Sequence, residues 1–208
     1  MYNIRFHGRG GQGIKTSSRI LGTAFFIQGY EVQDAPRYGA ERRGAPMNAY
    51  VRADVQPINA RGIIRNPDLV IVADDSLVPI PAAGVLDGIN DNTVLLILSR
   101  EPEQTWRNRL KLSGSILILP PAEDTSGSQT PLNSVACAGA AACLTGVISR
   151  DNLLTAIRDE LEEMNSELVQ KNEESALDGF ERMSRYRGLV KQNQPATLPD
   201  YRKPVSYT

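Results

Sequence analysis

Apolar residues alternate at Tyr2, Ile4 and Phe6, give way to glycines at 8, 10, 11 and 13, then recur every three or four positions from Ile14 through Leu21 to Phe25. A period of two changing to a helical period across a glycine turn predicts strand, tight loop and amphipathic helix. Gly29 stands where a helix C-terminus needs a residue free to turn left-handed, and Tyr30 to Val32 reads as a short second strand. Met47 to Arg52 resumes a strand-like pattern, and Asn66-Pro67-Asp68 turns the chain into the run Leu69 to Ala73. That run, Thr93 to Leu98 and Ser115 to Leu119 show no polar alternation, as expected of parallel strands buried on both faces. Pro79, Pro81 and Gly84 interrupt the region between the first two, and Asp91-Asn92 marks a turn. Glu101 to Leu110, which holds the only tryptophan, Trp106, fits a short crossover helix.

The C-terminal half is patterned as helix. Asn133 to Gly146 is almost entirely small residues, so a neighbouring backbone can approach closely; its place is the interior or a subunit contact. Ser149 or Asp151 caps a helix with Leu153, Leu154, Ile157 and Leu161 as its apolar stripe and Asp159, Glu160, Glu162 and Glu163 as its wet face. A last helix is expected from about Asn172 to Tyr186. From Gln192 onward Pro195, Pro199 and Pro204 mix with Tyr201 and Tyr207 without a period. Strands interleaved with helices predict one α/β domain over residues 1–191, a three-layer α/β/α fold with a mostly parallel, Rossmann-like sheet, followed by a Pro/Tyr-containing tail at 192–208.

Composition narrows the class. The 208 residues carry a net charge of −1, which gives no global electrostatic case for nucleic acid. No stretch reaches the roughly 20 apolar residues of a membrane span, and the N-terminus lacks a basic stretch leading into a long apolar run, so a soluble cytoplasmic protein is expected. The two cysteines, Cys137 and Cys143, fall in one helix about 240° apart, so they neither pair nor share a metal and read as small buried residues. The single histidine, His7, closes the first strand and reads as a hydrogen-bonded structural residue. No His/Cys cluster for a metal is present, nor the cysteines for an iron–sulfur cluster. A Gly-x-Ser-x-Gly elbow and a thiamine-diphosphate motif are also missing, so no catalytic residue is assigned.

Candidate chemistry concentrates in two stretches. In Gly8-Arg9-Gly10-Gly11-Gln12-Gly13, glycines that tolerate positive φ lead into a helix N-terminus, the arrangement that binds phosphate through amides. The spacing fits the dinucleotide fingerprint, with Glu31 or Asp34 as ribose partners, and it nearly fits an NTPase loop. In the latter, Ile14 intervenes before Lys15 and Thr16 and turns the lysine about 100° away from a phosphate. Asp74-Asp75 would supply the magnesium carboxylate. A tight connection without ligand is the plain alternative. The second stretch, Arg37 to Pro46, packs three arginines, one carboxylate, two glycines and a proline into ten residues. Such a loop grips an anion or docks on a partner.

Three segments together resemble a known family. Gly8 to Gly13, Tyr38-Gly39-Ala40-Glu41-Arg42-Arg43-Gly44-Ala45-Pro46, and Asn172 to Glu181 are similar to the gamma subunit of the 2-oxoacid:ferredoxin oxidoreductases; Asn133 before the small-residue helix also fits. The resemblance implies an enzyme complex that oxidatively decarboxylates a 2-oxoacid, in most members forms acyl-coenzyme A, and reduces ferredoxin; the pyruvate enzyme is the best-known member. It places thiamine diphosphate, magnesium and [4Fe–4S] clusters in alpha, beta and ferredoxin-like delta partner subunits. For this chain it implies assembly and a share of the coenzyme A site. Gly8, Gly10, Gly11, Gln12, Gly13, Arg37, Arg42 and Arg43 are the candidate ligand contacts, and Tyr38, Glu41 and Asn133 the candidate subunit contacts.

Overall fold

The computed structural model describes residues 1–37, 44–122 and 130–192. Strand β1 (Tyr2–Arg9) runs through the glycine turn into helix α1 (Ile14–Ile27), as the change of period requires. Then follow β2 (Glu31–Arg37), β3 (Pro46–Asp54), β4 (Leu69–Val72), β5 (Val94–Leu98), α2 (Glu103–Leu110) and β6 (Ser115–Leu119). Helices α3 (Thr130–Thr145), α4 (Arg150–Glu160) and α5 (Ser166–Arg182) complete the described elements, with short 3-10 turns at Asp75–Leu77, Pro81–Ala83 and Ser184–Tyr186. The sheet order is β2-β3-β1-β4-β5-β6.

Strands β1, β4, β5 and β6 are parallel, with Ile4 opposite Leu69, Leu69 opposite Val94 and Val94 opposite Ser115. The other half differs from a doubly wound sheet. The second strand runs from Glu31 to Arg37, well past Val32, and pairs antiparallel with β3, which itself pairs antiparallel with β1. The eight residues from 38 to 45 are too few for a crossover helix, so the chain can only fold back on itself. Their polar and glycine content hid that hairpin from a reading by apolar period.

Helices α1, α3, α4 and α5 share one main core with Tyr2, Ile4 and Phe6 of β1, Ala49, Val51 and Ala53 of β3, and Ile71, Leu96 and Leu117 of the parallel strands. The opposite face of β4–β6 is covered by α2 and the 3-10 turns, through Val70, Val72, Leu95, Ile97 and Trp106. Small residues place α3 in the interior: Cys137, Ala138, Ala140, Ala141, Ala142 and Cys143 are fully buried. It crosses α5 so closely that a Cβ on Gly139 would lie 1.9 Å from the Ala176 carbonyl oxygen, and one on Gly179 2.0 Å from that of Ala136. Burial pushes the Cys137 thiol up to about 12.

Two local expectations are corrected. Helix α5 begins at Ser166, six residues before Asn172, where the Asn165 side chain accepts from the Leu168 amide at 2.8 Å. The first turn carries Leu168 on an exposed face, so no apolar stripe announces it. Glu160 does not belong to the wet face of α4. It accepts from Thr23 at 2.6 Å and pairs with Arg19 at 2.7 Å, tying α4 to α1. Ser149 is the cap, accepting from the Asn152 amide at 3.1 Å.

Where α1 meets β2, Asp34 is half-buried against Ser18, whose hydroxyl donates to it at 3.2 Å. Burial raises its pKa to about 6; the Ser18 bond and the Arg19 charge oppose that, and Glu160 adds to it. A raised carboxyl pKa favours the fold below the unfolded-state value and loses that contribution as pH climbs through about 6. Asp34→Asn keeps the hydrogen-bond acceptor without the charge. Its stability relative to the parent is expected to improve by about 1 kcal/mol between pH 4 and pH 7.5, after allowance for partial exposure; urea denaturation at the two pH values measures it. In the helix pair, Gly139→Val and Gly179→Val are expected to lose about 3 kcal/mol each, because backbone must move. Gly29→Ala, at φ 95° with nothing within 4 Å, loses only about 1 kcal/mol by the same measurement.

Candidate functional site

The glycine loop is built on an extension of the sheet. Beyond the Arg9–Pro46 pair the ladder continues, with the Gly10 amide donating to Ala45 O at 2.9 Å and the Gly44 amide to Gly10 O at 3.0 Å. Gly11 (φ 89°) and Gly13 (φ 76°) then turn left-handed, which a side chain would resist. Gly8 serves a different end. A Cβ there would lie 2.3 Å from Cδ1 of Ile14, so its bare backbone lets α1 start directly against β1.

Gln12 organises the loop from within. Its Oε1 accepts from the Arg9 amide at 2.7 Å, its Nε2 donates to Asp74 at 2.9 Å, and its backbone carbonyl accepts from the Ser134 hydroxyl of α3. Its own amide donates to Arg9 O at 3.0 Å. Asp74, at the end of β4, is the hub. One oxygen accepts from Arg9 Nε at 3.0 Å and from Gln12, the other from the Ser76 amide at 3.1 Å and the Ser76 hydroxyl. Burial alone would raise its pKa, but the bonds from Ser76 and Gln12 and the charge of Arg9 outweigh it and hold the carboxyl below the ordinary value. Arg9 also donates to Gly44 O at 3.0 Å and to Ser76 Oγ at 2.8 Å.

This geometry sorts the candidates. The amides of Gly10 and Gln12 are spent inside the loop, whereas those of Gly11 and Gly13 have no acceptor among the described residues. Gly13 is the N-cap of α1, with no side-chain cap and no acidic residue in the first turn. A 14-residue helix thus points its positive end at the loop without an internal anion. Asn133 accepts from the Ala122 amide at 3.2 Å, beside Ser134. Arg37 ends β2 opposite Asn48, and Gly44 is bonded to Gly10, so both ends of the arginine-rich segment sit at the same sheet edge as the glycine loop. Tyr38, Glu41, Arg42 and Arg43 lie outside the described residues. The polar stretch at 123–129 and the tail from 193 lie outside them too.

The dinucleotide reading loses its ribose partners. Glu31 pairs with Asp54 at the opposite end of the sheet, and Asp34 lies against Ser18 on a strand separated from β1 by β3. Of the two carboxylates weighed for magnesium, Asp74 is already engaged by Arg9, Gln12 and Ser76, and Asp75 accepts from the Ser99 hydroxyl at 2.6 Å. Among the described residues no group of three His, Cys, Asp or Glu is placed to hold a metal. His7 is buried, with Nδ1 3.2 Å from Ala83 O. Burial, with the Arg5 charge, pushes its pKa down to about 3, so it is neutral near pH 7. Arg9 and Ser134 were not assigned to the site from sequence, and Asp74 was weighed there only as a magnesium carboxylate. Their contacts across 65 and 122 positions give their roles.

Comparison with known proteins gives the site its setting. A family model described as pyruvate ferredoxin/flavodoxin oxidoreductase matches residues 3–182. The common gamma subunit of the pyruvate/ketoisovalerate oxidoreductases of Pyrococcus abyssi is 37% identical over 185 residues, 88% of this chain and 97% of that protein. Pyruvate synthase subunit PorC of Methanothermobacter thermautotrophicus is 35% identical over 187 residues, 90% of this chain and 98% of that one. The crystal structure of pyruvate oxidoreductase subunit PORC from Thermotoga maritima matches with a TM-score of 0.70 and 28% identity, over 86% of this chain and 95% of that chain. The 2-oxoglutarate:ferredoxin oxidoreductase from Magnetococcus marinus shares the fold with a TM-score of 0.63 at 18% identity, over 93% of this chain and 32% of that chain. Matched from the first strand to the last α-helix, and over nearly the whole length of its gamma and PorC relatives, the chain belongs to the pyruvate ferredoxin/flavodoxin oxidoreductase family as a gamma-type subunit.

Proposed function

We propose that this chain works as the gamma subunit of a multi-subunit 2-oxoacid:ferredoxin oxidoreductase, and that its glycine loop receives the pyrophosphate of coenzyme A. The observation that carries the second part is the uncapped N-terminus of α1, where Gly13 holds a left-handed turn and no acidic side chain occupies the first helical turn. The Gly11 and Gly13 amides and the helix dipole suit a phosphate oxygen. Arg9 and Gln12, fixed on Asp74, keep those amides in place and are not themselves mobile ligand groups. The arginines at 37, 42 and 43 belong to a segment whose ends sit at the same sheet edge, and they would meet the remaining phosphate charge. Coenzyme A, when bound, supplies the thiol that takes the acyl group.

In this reading thiamine diphosphate, magnesium and the [4Fe–4S] clusters reside in alpha, beta and ferredoxin-like delta subunits, and ferredoxin is the electron acceptor of the whole. The chain's only two cysteines, buried in α3, support such a division of labour. The isolated chain then has no oxidoreductase activity, and the site of action is the cytoplasm. None of the described helices is long and apolar enough to cross a membrane.

Anaerobic affinity capture of the chain from its host is expected to recover a thiamine-binding chain and a cysteine-rich ferredoxin-like chain. The complex should reduce viologen with a 2-oxoacid in a coenzyme A-dependent manner. Recovery of the chain alone, carrying NAD(P) or ATP, overturns the reading. Within an assembled complex, Gly13→Asp places a carboxylate on the free amides. It is expected to raise the KM for coenzyme A about tenfold while leaving that for the 2-oxoacid unchanged. A variant that fails to assemble, with normal KM in the residual complex, assigns the loop to subunit contact instead.

A further inference from the structure

The two loop amides without an acceptor among the described residues, those of Gly11 and Gly13, each belong to a peptide whose carbonyl is held. Every described peptide is trans, and in a trans peptide the N–H and the C=O point in opposite directions. Whatever holds the carbonyl therefore aims the amide. The Gly10 carbonyl accepts from the Gly44 amide at 3.0 Å, which turns the Gly11 N–H away from Gly44. The Gln12 carbonyl accepts from the Ser134 hydroxyl of α3, which turns the Gly13 N–H away from Ser134.

The glycines themselves fix neither peptide. Arg9 to Gln12 form a four-residue turn closed by the Gln12 amide on Arg9 O at 3.0 Å, with Gly11 third at φ 89°, the sign that a type II turn requires. Half a rotation of the central peptide gives the type I form, which glycine accepts as readily. Gly13, at φ 76°, gives the next peptide the same freedom. Gln12 is anchored through its amide and side chain, and Gly13 through its carbonyl, which accepts from the Ser17 amide at 2.9 Å. Between those anchors the intervening peptide can still turn, by opposite changes in Gln12 ψ and Gly13 φ. In the rotated state a carbonyl oxygen stands where the amide stood and repels an anion. The β1–β3 ladder secures the first peptide; for the second, the holding group among the described residues is Ser134, 1% exposed and so out of reach of competing water.

We propose that Ser134 is a positioning residue for the anion site of the glycine loop: by holding the Gln12 carbonyl it keeps the Gly13 N–H in the orientation that receives a phosphate oxygen, acting through the peptide and touching no ligand itself. This rests on the reading of the loop as the seat of the coenzyme A pyrophosphate and extends it to a helix 122 positions away. It also gives a use to segment 172–181 of α5. There Ser175 donates to Leu132 O at 2.7 Å, and Ala176 and Gly179 meet the α3 backbone at Gly139 and Ala136. The part of α5 that carries the family resemblance thus seats the helix that carries Ser134.

The test uses the full chain with glycine-selective ¹⁵N labelling and inorganic pyrophosphate as probe. Ser134→Ala removes the hydroxyl from a helix already rich in alanine. Ser175→Ala removes a comparable hydroxyl–carbonyl bond from the same helix pair without touching the loop, and is the control. Residual dipolar couplings of the ligand-free chain read the direction of each N–H. In Ser134→Ala the Gly13 coupling is expected to change while that of Gly11, held through Gly44, keeps its value; in Ser175→Ala both match the parent. Pyrophosphate is expected to shift the Gly11 and Gly13 resonances of the parent saturably and to bind Ser134→Ala about tenfold more weakly, as the loss of one hydrogen bond to a charged group predicts. An unchanged Gly13 coupling in Ser134→Ala, an equal change in Ser175→Ala, or undiminished pyrophosphate binding by Ser134→Ala overturns the role of Ser134. A parent whose two resonances ignore pyrophosphate overturns the phosphate reading of the loop and with it the ligand part of the proposal, whereas the couplings alone still decide whether Ser134 holds the peptide.

Discussion

Strand β1 is the constraint on which the molecule depends. It is hydrogen-bonded on both sides, antiparallel to β3 and parallel to β4, and its alternate residues answer to incompatible surroundings. Tyr2, Ile4 and Phe6 fill the helical core, while Arg5 and His7 require carbonyls on the other face. A slip of one residue would bury two polar side chains under the helices and set three large apolar ones among the carbonyls of the other face, so register is fixed at both faces at once. Because register is fixed, the strand ends at one place, and the glycines follow where Asp74, just past β4, can reach them.

The loop that results is rigid for local reasons. Its shape is held by one carboxylate receiving four donors from Arg9, Gln12 and Ser76, in addition to the continued β1–β3 ladder. Glycine freedom permits the left-handed turns, but polar side chains select them. Those contacts also divide the amides into two that close the loop and two without an acceptor among the described residues, a division invisible in the glycine spacing. Pre-organised donors of this kind lose little entropy on meeting an anion.

Much of this was legible in the sequence. The change from alternation to helical spacing located β1 and α1, the three unbroken apolar runs located β4, β5 and β6, and the run of small residues marked the close helix crossing at Gly139. The β2–β3 hairpin was not, since the face it turns away from the helices carries Gln33, Tyr50 and Arg52, with Arg52 donating to the Gln33 side chain and to the Gly62 carbonyl. Glu160 looked like a solvated residue because its partners, Arg19 and Thr23, are 137 or more positions away. Asp74 could be noticed but not understood: a carboxylate after an apolar strand looks the same whether it meets a metal or a guanidinium. Local period reports burial, whereas polar partners chosen across the sheet leave no local mark.

The buried crossing of α3 and α5 has a consequence for handling the protein. Cys137 lies on α3 close to that crossing, fully buried in the main core with its thiol far from ionising near neutral pH, so neither oxygen nor an alkylating reagent meets a thiolate while the core is closed. Modification must wait for the core around α3 to open. The rate at which that sulfur becomes labelled is therefore a clock for the opening of the C-terminal half, readable in a crude mixture of subunits without any added probe on this chain.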